Sequence, residues 1–364
     1  MTDCLLLRSG QTIGNRLKSP RAIDSGAPHL ARNKACSCRG GKNDMKAICL
    51  GVPSEADHPL FLRLVAETLP AKGYDAVVLL IRYQYEFRSH PEIATQNPLS
   101  PRRAREIANM CRRSGIRFIP KMNLFGHQSG KERGTEDGLL RAYPDFDETP
   151  DAASVRYCRS LCPRHPQVSG VVRDLISNIL DDTGADAFHA GCDEVFEIGL
   201  CPRCRGAGNH RLFAEWITTL HEHIVGRCGV EMLIWSDRLL DGAATGYGEW
   251  EASMNGTHQA VDMIPKDIIC CDWHYGERED YPSISFLTAR GFRVVVCPWK
   301  DPKATESLLA CAARNKSERL LGVLQTSWCN PGNVCRSILG AGEPQDDTSR
   351  GVAASFETVA QSWP

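Results

Sequence analysis

Two adjacent carboxylates and a histidine stand in Phe188-His189-Ala190-Gly191-Cys192-Asp193-Glu194-Val195, at and just beyond the apolar run 185–190. An amphipathic helix feeding a strand whose end carries acids is how parallel α/β enzymes build active sites. The stretch therefore predicts an enzyme working by acid/base chemistry. Neighbours on a regular strand point to opposite faces. For Asp193 and Glu194 to reach one pocket, the backbone must turn irregular after Ala190, and Gly191 is placed to allow that. An isolated Asp-Glu pair is by default an exposed loop dipeptide; here the strand end and His189 argue against that reading.

Four of the seven tryptophans, Trp235, Trp273, Trp299 and Trp328, close four successive apolar runs. Any one of them reads equally well as a plug in a barrel mouth, but together they describe an aromatic-walled cup. The apolar face of a pyranose packs on indole while its hydroxyls bond to polar neighbours. Asp237, Glu249, Glu251, Asp272, His274, Asp301 and Asn330 are close in sequence and supply such neighbours. The predicted substrate is a sugar glycoside, small or oligomeric. Paired acids in such a cup predict glycoside hydrolysis, in which a protonated carboxyl delivers its proton to the departing glycosidic oxygen.

A second constellation, Cys201-Pro202-Arg203-Cys204, reads as half a zinc site, a redox pair or a packed turn. Cys158, Cys162, His165 and His210 are donors that would complete a zinc site, and the chain has no second Cys-x-x-Cys. The glycosidase reading itself needs no cofactor.

From Lys46 onward, apolar runs at 47–51, 76–82, 117–124, 185–190, 232–236, 268–272, 293–297 and 322–327 alternate with helical patterns at 58–72, 101–114, 167–183, 208–227, 256–264, 283–290 and 302–316, with a last helix near 348–361. Near-continuous β-branched runs such as Val294-Val295-Val296 belong in a parallel sheet covered on both faces. Eight such units over about 300 residues favour a (β/α)8 TIM barrel, one catalytic domain over 46–364, rather than an open doubly wound sheet. The longest connections, 83–100 and 125–166, follow the second and third strands. Both fall at the face where barrel enzymes do their chemistry. No glycine-rich phosphate loop follows any strand, which weakens nucleotide-binding readings.

These residues bring a family into view. His189-x-Gly191-x-Asp193-Glu194 resembles the His-x-Gly-Gly-Asp-Glu of glycoside hydrolase family 20, the β-N-acetylhexosaminidases, with Cys192 in place of the second glycine. The third-strand end Pro120-x-x-Asn123-Leu124-Phe125-Gly126-His127 and Thr326-Ser327-Trp328 at the eighth are similar to family segments. Ser89-His90-Pro91-Glu92 and Leu161-Cys162-Pro163-x-His165-Pro166 resemble loops of the smaller, intracellular-type hexosaminidase D branch. The resemblance covers about 46–330. It implies that Glu194 is the general acid/base and that Asp193 orients and charge-stabilises the substrate's 2-acetamido group. The acetamido oxygen then attacks the anomeric carbon, giving an oxazolinium intermediate and retention without an enzymic nucleophile. Acid duty near neutral pH asks for a carboxyl that keeps its proton, and a water-poor indole cup favours this by desolvation. His127 and His189 are implied members of the hydrogen-bonding shell, or else core histidines. The family's acetamido-holding tyrosine sits near the seventh strand end, where this chain has Cys297-Pro298-Trp299-Lys300-Asp301; Tyr275, after the sixth strand, is the candidate substitute. Two positions beyond the eighth-strand tryptophan, many members have glutamate where this chain has Asn330. Two other readings stay open: a glycosidase using Glu249, Glu251 or Asp272 as a true nucleophile, and a catalytically silent sugar-binding barrel.

With 43 basic and 44 acidic residues in 364 and a net charge of -1, nothing in the balance asks for nucleic acid or an anionic membrane as partner. The seventeen cysteines are scattered, several inside strand-like runs (Cys270-Cys271, Cys297), and read as reduced core thiols and a cytoplasmic setting. No run approaches the roughly 18 apolar residues of a spanning helix, and Leu5-Leu6-Leu7 is too short for the apolar centre of a secretory signal. Oligomeric state leaves no trace in the sequence. Residues 1–45 set Arg8, Arg16, Lys18, Arg21, Arg32, Lys34, Arg39 and Lys42 against only Asp3, Asp24 and Asp44. This reads as a basic, disordered leader, as a start mis-called upstream of Met45, or as a transit-like segment. Mass spectrometry of the native protein distinguishes them: a chain beginning at or next to Met45 is the outcome expected of a mis-called start.

Overall fold

Every apolar run predicted as a strand forms one, and the eight pair in parallel and in sequence order, the last closing on the first. The strands are β1 (Met45–Gly51), β2 (Ala76–Leu80), β3 (Arg117–Lys121), β4 (Ala187–His189), β5 (Glu231–Trp235), β6 (Ile269–Trp273), β7 (Arg293–Cys297) and β8 (Leu320–Gln325). The computed structural model describes residues 45–342 and 346–364. The basic N-terminal segment, Met45 apart, lies outside the described residues.

Alternation along the strands sorts side chains into two cores. Inside the cylinder, small residues near the strand starts (Ala47, Ala76, Ala187) give way to Trp235 and Trp273 at the C-terminal ends. Outside, Ile48, Leu50, Val77, Leu79, Val294 and Val296 pack under the helices. A fully buried side chain of this size stabilises by about 1.5–3 kcal/mol. The thiols join these cores as small apolar groups. Fourteen cysteines among the described residues are unbridged and twelve of them are buried. No helix among the described residues is long and apolar enough to cross a membrane.

Helices Pro101–Arg113, Val168–Thr183, Asn209–His221, Pro282–Ala289 and Pro302–Arg314 cover the barrel much as the periodicity predicts. Helix His58–Arg63 runs on through a wider π-turn, Leu64–Thr68, into Leu69–Ala71. The helix expected at 256–264 is instead a 3-10 stretch, Thr257–Asp262. A further helix, Pro331–Leu339, was not expected. Its start shows why two polar residues leave the predicted cup: Asn330 accepts from the Asn333 N–H at 3.1 Å, and Asp301 accepts from the Lys303 N–H at 2.9 Å. Each caps a helix whose first residue is proline, an arrangement that uses a side-chain oxygen to satisfy orphan N–H groups.

Two seams in the wall are irregular. Between β3 and β4 the register holds a single pair, Lys121 with His189, and backbone hydrogen bonding runs on through Met122 N–H to the His189 carbonyl and Leu124 N–H to the Ala190 carbonyl, both 3.0 Å. Between β7 and β8, Val294 pairs with Leu320 but Val295 pairs with Gly322, so Leu321 is an extra residue. Gly322 follows that bulge with φ +150°, and a Cβ there would lie 2.0 Å from the Met45 carbonyl oxygen across the closure with β1. Gly322→Ala is therefore expected to destabilise the barrel by about 2–3 kcal/mol, read as a lower urea midpoint at unchanged slope.

Candidate active site

Beyond β4 the chain turns sharply into left-handed backbone: Gly191 has φ +73°, Cys192 +69° and Glu194 +49°. That is the irregularity the Asp-Glu pair requires, and it leaves both carboxylates on one side. Cys192 occupies a conformation that glycine adopts without cost, at the position where the family motif has glycine. Of the five non-glycine residues with positive φ among the described residues, four gather here: Arg82, His127, Cys192 and Glu194. Such strain persists only where surroundings impose it. The β3 and β4 ends press together so tightly that a Cβ on Gly126 would lie 2.5 Å from the Asp193 carbonyl oxygen, and one on Gly191 would lie 2.7 Å from that of Met122. Trp216 braces the crossing by donating its Nε1–H to the Leu124 carbonyl at 2.9 Å.

His127 is the centre of the site. Its Nε2 lies 3.0 Å from Asp193 Oδ2 and 2.9 Å from Glu194 Oε2. Burial disfavours the charged ring, but the two carboxylates outweigh it and push His127 up to about 9. Burial likewise works against ionised Asp193, and His127 followed by Lys121 overcomes it, holding the carboxyl well below its usual range. These three side chains are close enough to share a cation. Asn123 donates Nδ2–H to Asp193 Oδ1 at 3.0 Å and accepts from Lys121 Nζ at 3.1 Å. Arg82 Nη2 donates to the His127 carbonyl at 3.0 Å.

Asp237 fixes the turn from the other side. Its Oδ2 accepts from the Glu194 N–H at 2.9 Å and from Arg238 Nε at 2.7 Å, and its Oδ1 accepts from Trp273 Nε1 at 3.3 Å. Burial pushes Asp237 up to about 6 against the opposing pull of Arg238. Asp193 and Glu194 push it the same way as burial, and at about 6 the carboxyl is an anion at neutral pH.

The aromatic residues divide. Trp235 and Trp273 are 1% and 8% exposed, so they fill the mouth rather than wall an open cup. Trp328 and Tyr275 stand partly open above them, joined by a hydrogen bond from Trp328 Nε1 to the Tyr275 oxygen at 2.6 Å. Trp299, half-buried, reaches the group only through Tyr275, ring centroids 5.3 Å apart. His189 is fully buried, with Nδ1 accepting from the Gly191 N–H at 3.0 Å and the ring 4.6 Å from that of Trp235. Burial, then Lys121, hold it well below the usual histidine range. It is a neutral turn-former whose Nε2, like Trp235 Nε1, is buried without a protein partner.

Several polar residues expected around the cup belong elsewhere. His274 lies between Glu251, 2.6 Å from Nδ1, and Ser283, 2.9 Å from Nε2. Asp272 accepts from Ser283 and Ser236, and Glu249 pairs with Arg156. All three acids considered as nucleophiles are engaged in these contacts. Conversely, Lys121 and Asn123 were not singled out, although a lysine within an apolar strand is a legible signal. Tyr157 and Trp250, 42% and 44% exposed, were also missed. With Phe196 they form an aromatic ridge, each 5.1 Å from the Trp250 ring or meeting it at that distance. Two hollows lie beside this ridge. One, about 490 Å³, includes Arg82, His127, Asp137 and Tyr157 in its lining. The other, about 310 Å³, includes Arg156, Phe196, Arg238 and Glu249.

The sequence profile of glycosyl hydrolase family 20, catalytic domain, matches residues 77–302, from β2 through the end of β7 and across the acid pair. The chain belongs to glycosyl hydrolase family 20. Solved structures share the fold of this family 20 domain at low identity. A Flavobacterium johnsoniae chitobiase is 16% identical with a TM-score of 0.60, the match covering 88% of this chain and 48% of that one. A Bacteroides fragilis β-N-acetylhexosaminidase is 13% identical with a TM-score of 0.61, covering 88% and 65%. A Vibrio harveyi exo-β-N-acetylglucosaminidase, solved with N-acetylglucosamine, is 15% identical with a TM-score of 0.60, covering 88% and 54%. The family 20 chain thus spans roughly half to two thirds of the length of these structures. A search of curated proteins gave no match.

The charges give the family 20 site a pH signature. A histidine raised from 6.5 contributes its full stabilisation below pH 6.5 and loses it as pH rises through about 9. A depressed Asp193 contributes above its ordinary value of 3.8 and loses that contribution as pH falls further. Stability from this cluster is therefore expected to be greatest between these limits and to decline toward pH 9. His127→Gln is expected to remove the alkaline decline in thermal unfolding, and NMR titration of the His127 ring is expected to show it protonated at pH 7.5.

Proposed function

We propose that this glycoside hydrolase is a retaining exo-β-N-acetylhexosaminidase that removes terminal N-acetylhexosamine by substrate-assisted catalysis. The observation that carries the reading is the left-handed turn that directs both Asp193 and Glu194 to His127. Glu194 delivers a proton to the glycosidic oxygen as the bond to the anomeric carbon breaks. The substrate's acetamido oxygen forms the new bond to that carbon. Asp193, kept anionic by His127 and Asn123, accepts from the acetamido N–H and stabilises the positive charge that develops. Water then opens the oxazolinium, giving its proton to Glu194, and two inversions leave net retention.

Tyr275 suits the acetamido carbonyl. Its oxygen accepts from Trp328, so its own proton is available for donation. The solved β-N-acetylhexosaminidase and exo-β-N-acetylglucosaminidase that share this fold support the same substrate class. The unbridged thiols support a cytoplasmic setting.

With an aryl N-acetyl-β-glucosaminide or galactosaminide, Glu194→Gln is expected to lower kcat by about 10²–10⁴ and Asp193→Asn to lower it comparably. A thiazoline mimic of the oxazolinium is expected to inhibit far more strongly than the free sugar. Undiminished hydrolysis by Glu194→Gln, or turnover of glycosides lacking the acetamido group in preference, would defeat the reading.

A further inference from the structure

Four side chains from two loops converge with no role in the chemistry above. Glu148 and Cys162 come from the loop after β3, and Cys201 and Cys204 from the loop after β4; all four are buried. Cys162 Sγ lies 3.4 Å from Cys201 Sγ and 3.6 Å from Cys204 Sγ. One ligand atom from each of the four falls within 4.8 Å of the others. A tetrahedral zinc with sulfurs about 2.3 Å away spaces those sulfurs about 3.8 Å apart, so the thiols need move only a few tenths of an ångström to hold one.

Glu148 is the second and independent observation. It is 0% exposed. Its Oε1 is fixed by the N–H groups of Leu200 at 2.8 Å and Cys201 at 3.3 Å, whereas its Oε2 is buried without a partner. A buried carboxylate oxygen with neither donor nor cation is costly. A carboxylate with one oxygen held by backbone and the other unpartnered, lying within 4.8 Å of three thiols, is the arrangement of an oriented metal ligand. His165, one of the donors weighed from the sequence, is outside this group: its Nδ1 accepts from the Gln167 N–H and its ring packs on Phe146.

We propose that Glu148, Cys162, Cys201 and Cys204 form a closed, four-coordinate structural zinc site pinning together the loops that follow β3 and β4. Three thiolates and one carboxylate suit zinc, and a full protein ligand set leaves no open position for catalysis. Binding releases the thiol protons to solvent and involves no redox step. The site stands whether or not the glycosidase reading does.

The test uses the full chain, purified under reducing conditions without a metal-binding tag, exposed to zinc and then desalted. Elemental analysis is expected to find one zinc per chain, and cobalt exchange to give thiolate-to-cobalt charge-transfer absorption. Cys201→Ser/Cys204→Ser is expected to abolish that absorption. Glu148→Gln, which keeps the acceptor for Leu200 and Cys201, is expected to weaken zinc retention about tenfold or more. His127→Gln is expected to keep the zinc, separating this site from the His127, Asp193 and Glu194 cluster. A folded wild-type chain without zinc would overturn the proposal even if the cysteine variant fails to fold. So would zinc kept by the cysteine variant, zinc lost by His127→Gln, or a disulfide among the three cysteines.

Discussion

The close passage of the β3 and β4 ends is the constraint on which the site depends. Because Gly126 and Gly191 leave no room for a Cβ against the opposing backbone, the chain after β4 is forced into left-handed conformations that a strand never visits. This breaks the strict alternation of side chains and lets two consecutive acids face one histidine. The cost, about 1–3 kcal/mol per strained residue, is offset by anchors on several sides: Trp216 on the Leu124 carbonyl, Asp237 on the Glu194 N–H and Arg82 on the His127 carbonyl.

Around that turn, basic and acidic groups interlock. Lys121, Asp193, His127 and Glu194 alternate, in direct contact or through Asn123, and Asp237, paired with Arg238, joins them through the Glu194 backbone N–H. Burying ions is expensive unless each is paired and hydrogen-bonded, and here each neighbour supplies what the next needs. Removing one member leaves its partners as uncompensated buried charges, so substitutions are expected to couple strongly rather than add.

Much of this was legible in the residues. Strands of the barrel announced themselves through Val, Ile and Ala runs with turn residues between, and the need for an irregular backbone after Ala190 followed from side-chain alternation alone. The acids, His127 and Tyr275 were named from motif and position, and the structure brings the acids and His127 together. What escaped depends on contacts between distant segments. Glu148 precedes Cys162 by 14 positions in no recognisable spacing and joins Cys201 and Cys204 only when two loops fold over each other. His274 and Asp272 resembled cup residues because they follow a strand, but Ser283 and Glu251, brought in by later and earlier loops, claim them. Asp301 and Asn330 were misassigned although the proline after each marked a helix start. Trp235 and Trp273 sit where expected, yet only three-dimensional packing decides that an indole fills a mouth instead of lining it.

The single ladder pair between β3 and β4 has a consequence for how such a protein can change. A cylinder fully stitched on all sides ties the width of its rim to the number and tilt of its staves. Here the stitching stops early at one junction, and what lies beyond is governed by segments anchored mainly to each other. Insertions in those segments can reshape the approach to the acids while the circumference below stays fixed, so new leaving groups can be accommodated without rebuilding the foundation.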